Sequence, residues 1–199
     1  LLQTWAARLA EMDLNLPPPA IAGQLYHDVE SLLGNGDPFL QDKKTANARV
    51  REILPRLKSL VASSSDPLAR ALEVSIIGNY IDSGVAREFP WEEELEQEAR
   101  DLNEQVYDRF RQTVEDHGEI MILGDNAGEI ALDAILVDLL QERGCTVTYV
   151  VRGSPIINDA TMEDAREVGM TELCRVVSSG VDTPGTVLSR CSPDFLASF

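Results

Sequence analysis

Glu119-Ile120-Met121-Ile122-Leu123-Gly124-Asp125-Asn126-Ala127-Gly128-Glu129 is the stretch whose reading decides the fold. Its apolar run Ile120 to Leu123 has the length and composition of a buried strand, and Gly124 halts it. Asp125 to Glu129 then falls where a parallel strand hands over to a helix, the edge on which open α/β sheets carry their chemistry. From Ile130 to Arg143 apolar residues recur at helical spacing (Ile130, Leu132, Ile135, Leu136, Leu139, Leu140), and Gly144 is a stop. Cys145 to Val151 is rich in β-branched residues and reads as a second strand. It ends in a polar turn, Arg152-Gly153-Ser154-Pro155-Ile156-Ile157-Asn158-Asp159-Ala160-Thr161. A right-handed crossover makes the two strands near neighbours, so Asp125, Asn126 and Asp159 are expected to converge on one sheet edge.

Downstream, a helix is expected from about Met162 to Gly169 and a third strand from Leu173 to Val177. A third polar loop, Ser178 to Thr186, then lies on the same edge. The tail from Leu188 to Phe199 reads as a helix or loop. Upstream, residues 1–117 read as helical throughout. Helices are expected at Leu1 to Met12, Ala20 to Leu33, Gln41 to Ala62 with a kink or break at Pro55, and Leu68 to Ile81. An acidic helix, Trp91 to Glu115, opens on Glu92-Glu93-Glu94 and carries a solvated face. Asp66 is the expected N-cap before Pro67, and the apolar pattern of Leu68 to Ile81 predicts a buried helix. The fold class is α/β: a helical N-terminal region (1–117) packed on a Rossmann-like three-layer unit with a mainly parallel sheet (118–199). The chain starts without methionine and stops soon after a strand, so its C-terminal part is expected to be missing.

The 199 residues suffice for one large domain or two small ones. With 17 basic against 34 acidic residues, the formal charge of −17 argues against a nucleic-acid surface. No apolar run approaches the roughly 20 residues of a membrane span, and no signal peptide is visible. The odd number of cysteines, Cys145, Cys174 and Cys191, lacks metal-ligand spacing and reads as reduced thiols of a cytoplasmic protein. Neither histidine joins a nucleophile–base constellation: His27 lies in a helix and His117 precedes a glycine, so both are expected to be surface or packing residues.

A carboxylate and an amide at one strand end, with a second carboxylate at the next, supply hard oxygen ligands suited to a divalent ion. The same Asn-Ala-Gly and Asn-Asp pairs are also ordinary turn chemistry, so these residues alone leave both readings open. No Gly-x-x-x-x-Gly-Lys is present, which disfavours a P-loop, and Gly124-x-x-x-Gly128 fits the dinucleotide fingerprint poorly. Gly78-Asn79-Tyr80-Ile81-Asp82-Ser83-Gly84 has two readings as well. It is either a capped helix end, or a segment that turns Asn79 and Asp82 toward the acidic turns.

The run Gly124 to Asp133, followed by Val150 to Ala165, resembles the damage-control phosphatase family, long catalogued as a domain of unknown function and also called acidic-residue-methyltransferase-like. Supporting matches are Asp37-Pro38-Phe39 with Lys43 and Asn47, the Gly78 to Gly84 segment, and Gly180-Val181-Asp182-Thr183-Pro184-Gly185-Thr186. The resemblance runs from about residue 25 onward. It implies a metal-dependent phosphomonoester hydrolase acting on small anionic phosphometabolites such as sugar phosphates. The ion would be manganese, cobalt, nickel or magnesium, with metal-activated water as nucleophile. Position by position, it makes Asp125, Asn126 and Asp159 the metal ligands, with Asp125, Asp159 and Arg152 catalytic. Arg152 stands where the family usually has a lysine. Asn79, Asp82 and Glu129 would bind substrate, Glu129 also being placed to reach the metal, and Asp133 would be a structural cap or a carboxylate behind the ligands.

Two departures from the family's pattern are visible. The prokaryote-type branch carries an early Cys-x-x-Cys that is absent here, and no Lys-Gly-x-Gly-Asn loop precedes Phe199. Such a lysine would hold phosphate and balance charge in the transition state. The alternatives are an S-adenosylmethionine-dependent carboxyl methyltransferase, opposed by the scarcity of glycines in the first turn, and a non-catalytic metal-binding domain.

Overall fold

The computed structural model describes residues 2–13, 15–34, 36–81 and 102–199, without the side chains of 2–5 and 79–81. Five helices come first in the described chain: α1 (Leu2–Glu11), α2 (Pro18–Leu33), α3 (Leu40–Ser63), α4 (Pro67–Ile81) and α5 (Glu104–Glu115). An alternating part follows: β1 (Glu119–Leu123), α6 (Glu129–Glu142), β2 (Thr146–Val151), α7 (Met162–Glu167), α8 (Met170–Leu173) and β3 (Arg175–Ser178). A short 3-10 turn (Leu188–Arg190) and α9 (Pro193–Leu196) complete it.

The three strands form one parallel sheet in the order β1-β2-β3, as the β-α-β reading requires. Its register sets Leu123 beside Val150 and Val151 beside Ser178, so all three strands finish level and their loops leave one edge together.

Helix α6 is the centre of the core. Its residues Glu129 to Val137 are all buried, and it contacts α3, α4 and β2. One continuous apolar cluster runs from Val50 and Leu57 of α3 through Val74 and Ile77 of α4 and Ile130 to Leu140 of α6 to Val147, Tyr149 and Val151 of β2. The helical N-terminal part and the sheet part thus share a core, and burial of this apolar area is the main stabilising term.

The helix boundaries follow the signals in the sequence. Asp66 Oδ1 accepts from the backbone N–H of Leu68 and Ala69 at 3.2 and 3.1 Å, the expected N-cap. Two expectations are corrected. Pro55 does not break α3, which is continuous from Leu40 to Ser63. Pro55 is exposed while Val50, Leu57 and Val61 are buried, so core packing holds the helix across the lost hydrogen bond. The third strand starts at Arg175 because Gly169 takes φ +80° and Met170–Leu173 forms a turn of helix closed by Cys174 N–H on Met170 C=O. Helix α4 is largely buried, as its composition predicts: Leu68, Ala71, Val74 and Ile77 are buried, and of 67–78 only Ile76 is exposed. Of the acidic helix, Glu104–Glu115 is seen, capped by Asn103, and Glu92 to Glu94 lie outside the described residues.

Candidate active site

Gly124 ends β1 with its N–H on the Val150 carbonyl, and the chain leaves the sheet as Asp125-Asn126. At the end of β2 the chain turns through Arg152 to Thr161. The two turns are bonded to each other: Ala160 N–H to Asp125 C=O at 2.6 Å, Ala127 N–H to Asn158 C=O at 2.9 Å, and an antiparallel bridge between Asn126 and Asp159. This backbone pairing brings Asp125, Asn126 and Asp159 into one site.

Arg152 stands between the two carboxylates. Its Nη2 donates to Asp125 Oδ1 at 2.8 Å, its Nε to Asp159 Oδ2 at 2.6 Å, and its Nη1 to Thr186 Oγ1 at 3.2 Å. Arg152 and Asp159 side chains are each 5% exposed and Asp125 is 45% exposed, so the site opens to solvent on the Asp125 side. Charge-assisted bonds of this length in a buried setting are among the strong ones. Thr186 brings the third polar loop into the site. Gly153 and Gly180 approach so closely that a Cβ on Gly153 would lie 2.5 Å from the Gly180 carbonyl carbon, which fixes the second turn against the third.

Ile157, two residues before Asp159, has φ +47°. A β-branched residue in the left-handed region is strained, and such strain collects where surrounding structure dictates a functional turn.

Behind the turns lie two buried polar groups whose contacts the sequence alone did not show. The first is Asp133, on α6. Tyr149 Oη donates to its Oδ2 at 2.6 Å, and Ser75 Oγ donates to Oδ1. Burial pushes the Asp133 carboxyl up to about 6 against the lowering effect of these two donors. The Tyr149 hydroxyl is raised well above its usual range by burial and by Asp133. Asp133 is therefore a buried carboxylate under the site. The second group joins α3 to the end of the first turn and, through Asp164 of α7, to the second. Asn47 Oδ1 accepts from Gly128 N–H at 2.7 Å, its Nδ2 donates to Asp164 Oδ1 at 3.3 Å, and Lys43 Nζ lies 3.1 Å from Asp164 Oδ2 and 2.9 Å from Asp37 Oδ2. Their signal was a lysine and an asparagine four apart, on one helix face.

Glu129 is 7% exposed at the start of α6, and a Cβ on Gly78 would lie 2.9 Å from its Cγ. The C-terminal end of α4 thus meets the first turn. Asn79 lies in α4 immediately after Gly78, its side chain outside the description, and Asp82 lies outside the described residues. His27 is not a simple surface residue: it sits 3.2 Å from Glu30 and 3.0 Å from Asp182 of the third loop. Burial lowers its pKa, but Asp182 and Glu30 outweigh that and raise it.

Among the described residues, no three of His, Cys, Asp and Glu gather closely enough to hold a metal. The candidate donors are instead two carboxylates and the Asn126 amide, a set of hard oxygens. They fit a cation, because a single guanidinium already lies within hydrogen-bond distance of both carboxylates.

The profile described as the damage-control phosphatase ARMT1-like domain matches residues 1–199. A damage-control phosphatase of Archaeoglobus fulgidus is 39% identical over 178 residues, covering 85% of this chain and 60% of that protein. One from Pyrococcus horikoshii is 32% identical over 187 residues, covering 91% of this chain and 63% of its own length. The crystal structure of a protein from the same organism, titled as one of the DUF89 family, superposes with a TM-score of 0.73 at 28% identity, over 89% of this chain and 62% of that one. The chain spans about three fifths of the length of these relatives.

Proposed function

The chain belongs to the damage-control phosphatase ARMT1-like family, and from that premise we propose that it hydrolyses phosphate monoesters of small metabolites, sugar phosphates among them. Asp125, Asn126 and Asp159 would hold a divalent ion, one of manganese, cobalt, nickel or magnesium, since hard oxygen donors accept all four. When bound, such an ion neutralises phosphate charge and makes water a better nucleophile. The observation that carries this reading is the pair of carboxylates, Asp125 and Asp159, within reach of one cationic group at the sheet edge.

The remaining roles belong to side chains of the chain. Arg152 supplies a permanent positive charge for phosphate oxygens, and its fork geometry suits them. Thr186 keeps the guanidinium from rotating away. Asp125, the more exposed carboxylate, meets the incoming ester first, while Asp159 anchors Arg152 from below. By the family resemblance, substrate binding is assigned to Asn79, Asp82 and Glu129. Among the described residues no helix is long and apolar enough to cross a membrane, and the three cysteines are free thiols, in keeping with a cytoplasmic setting. The relatives are named for phosphatase activity, which leaves the methyltransferase reading without support.

The test is release of inorganic phosphate from a panel of sugar phosphates by protein stripped with chelator and resupplied with each metal in turn. Metal-dependent release from at least one ester is expected. Failure of every metal with every ester, or metal-independent release, would remove the proposal. A phosphoaspartate trapped at Asp125 would replace water by that carboxylate as the nucleophile.

A further inference from the structure

Lys43 and Asn47 lie on a helix far in sequence from the acidic turns, yet both are buried, at 2% and 0% exposure. A buried lysine is costly unless paired, and here it sits between Asp37 and Asp164, which outweigh the effect of burial and raise its pKa. Asp164 is itself 3% exposed and does more than balance charge. Its Oδ2 accepts from the backbone N–H and the hydroxyl of Thr161 at 2.9 and 2.8 Å, closing the turn that begins at Arg152. Asn47 then spans the gap. One end of its amide holds Asp164, and the other holds the N–H of Gly128, the residue that ends the first acidic turn in the left-handed conformation, at φ +86°.

We infer that Asn47, fixed by Lys43 through Asp164, is a positioning residue that sets the separation of the two acidic turns and hence the geometry of Asp125, Asn126 and Asp159. The inference rests on the metal-site reading of those three residues. The Asn47 amide links the end of the first turn, at the Gly128 N–H, to Asp164 of α7, which in turn closes the second turn on Thr161. The two direct backbone bonds between the turns bring them together, while the amide holds the pair in one position against the core helix α3. Groups that orient metal ligands are commonly worth about 10- to 100-fold in metal affinity. That range, not a mere loss of stability, is the effect assigned to Asn47.

The experiment is titration of the stripped protein with Mn(II), free ion being read by electron paramagnetic resonance, alongside melting temperature. Four variants are compared: Asn47→Ala, Lys43→Met, the swap Asn47→Asp with Asp164→Asn and Glu167→Gln, and Val61→Ala. The last removes buried volume at the far end of α3 as a stability control. The swap exchanges donor and acceptor, turns Glu167, which accepts from Asn47 Nδ2 at 3.2 Å, into a donor, keeps Asp37 as the charge facing Lys43, and leaves an acceptor for Gly128. Asn47→Ala and Lys43→Met are expected to weaken Mn(II) binding about 10- to 100-fold, the swap to recover most of the affinity, and Val61→Ala to bind as the unaltered protein does. Wild-type affinity in Asn47→Ala despite a lower melting temperature would reduce the network to a structural role and overturn the inference. So would a swap no better than Asn47→Ala. If the unaltered protein binds no Mn(II), the metal-site reading itself fails, an outcome recognised before any variant is measured. Should Asn47→Ala not fold, the swap and Lys43→Met still decide the matter.

Discussion

Arg152 Nε donates to Asp159 Oδ2 across 2.6 Å, between two side chains that are each 5% exposed. A buried pair of this kind is strongly destabilised when one partner is removed, by about 3–5 kcal/mol. Arg152→Ala is therefore expected to lower the melting temperature by roughly 6–20 °C, at about 2–4 °C per kcal/mol for a chain of this size. It is also expected to cut metal-dependent turnover about 100-fold or more, on the scale of losing one preorganised charge. Arg152→Lys keeps the charge but loses the fork that bonds Asp125, Asp159 and Thr186 at once, and is expected to fall between Arg152→Ala and the unaltered protein. Thermal melts together with kcat and KM for both variants check this. Equal losses in Ala and Lys would show that fork geometry, not charge, is what Arg152 contributes.

Gly124 is required by Tyr149. A Cβ at Gly124 would lie 2.4 Å from the Tyr149 ring and hydroxyl, and the ring cannot retreat because its hydroxyl is held by buried Asp133. Gly124→Ala is predicted to cost about 1–3 kcal/mol through overpacking. It should also displace Asp125, the next residue, with loss of Mn(II) affinity. Gly124→Ala combined with Tyr149→Phe frees the ring from Asp133 and should recover part of the affinity. No recovery would mean that the ring, not its hydroxyl bond, is the obstacle.

Ile157→Gly separates strain from stability. Relief of a left-handed β-branched residue returns about 1–2 kcal/mol. Loss of a half-buried side chain and gain of unfolded-state freedom offset a similar amount. The melting temperature is expected to stay within about 4 °C, while metal affinity falls because the turn that carries Asp159 is less confined. A large drop in melting temperature would show that packing of Ile157 outweighs its backbone strain.

Asp133 makes a prediction about pH. Its folded pKa is raised from 3.8 to about 6. The folded state therefore binds the proton more tightly than the unfolded one, and the contribution to stability is fully present below pH 3.8. It is lost as pH rises through about 6, with a span of the order of 3 kcal/mol. Asp133→Asn lacks this titration, so its stability relative to the unaltered protein should rise between pH 4 and pH 6 and level off above. Urea unfolding at several pH values measures the difference. Parallel pH profiles for the two proteins would contradict it.

The sequence carried the β-α-β core because period and punctuation agree there: Ile120 to Leu123, the stop at Gly124, the apolar spacing of α6 and the β-branched run of β2 all point one way. It also carried the convergence of Asp125, Asn126 and Asp159, which follows from parallel topology alone. What it could not carry was anything decided by long-range contact. Pro55 left a kink or a break open, and the break was excluded only by the packing of Val50, Leu57 and Val61 on either side of it, which a local rule cannot weigh. Lys43 and Asn47 entered only as matches to the family's pattern, since their partner Asp164 lies more than a hundred positions away and no spacing shows the contact. Arg152 was placed near the second turn, but that it would hold both carboxylates depends on a side-chain geometry that no spacing encodes.

The central claim is that Asp125, Asn126 and Asp159 hold a catalytic metal. Its most direct test is hydrolysis of an aryl phosphate by chelator-stripped protein, with manganese, cobalt, nickel or magnesium restored, beside Asp159→Asn treated identically. The predicted result is turnover that appears only with metal and is lost in Asp159→Asn while the variant still melts cooperatively. Metal-dependent turnover that survives in a folded Asp159→Asn would contradict the claim and move the site elsewhere.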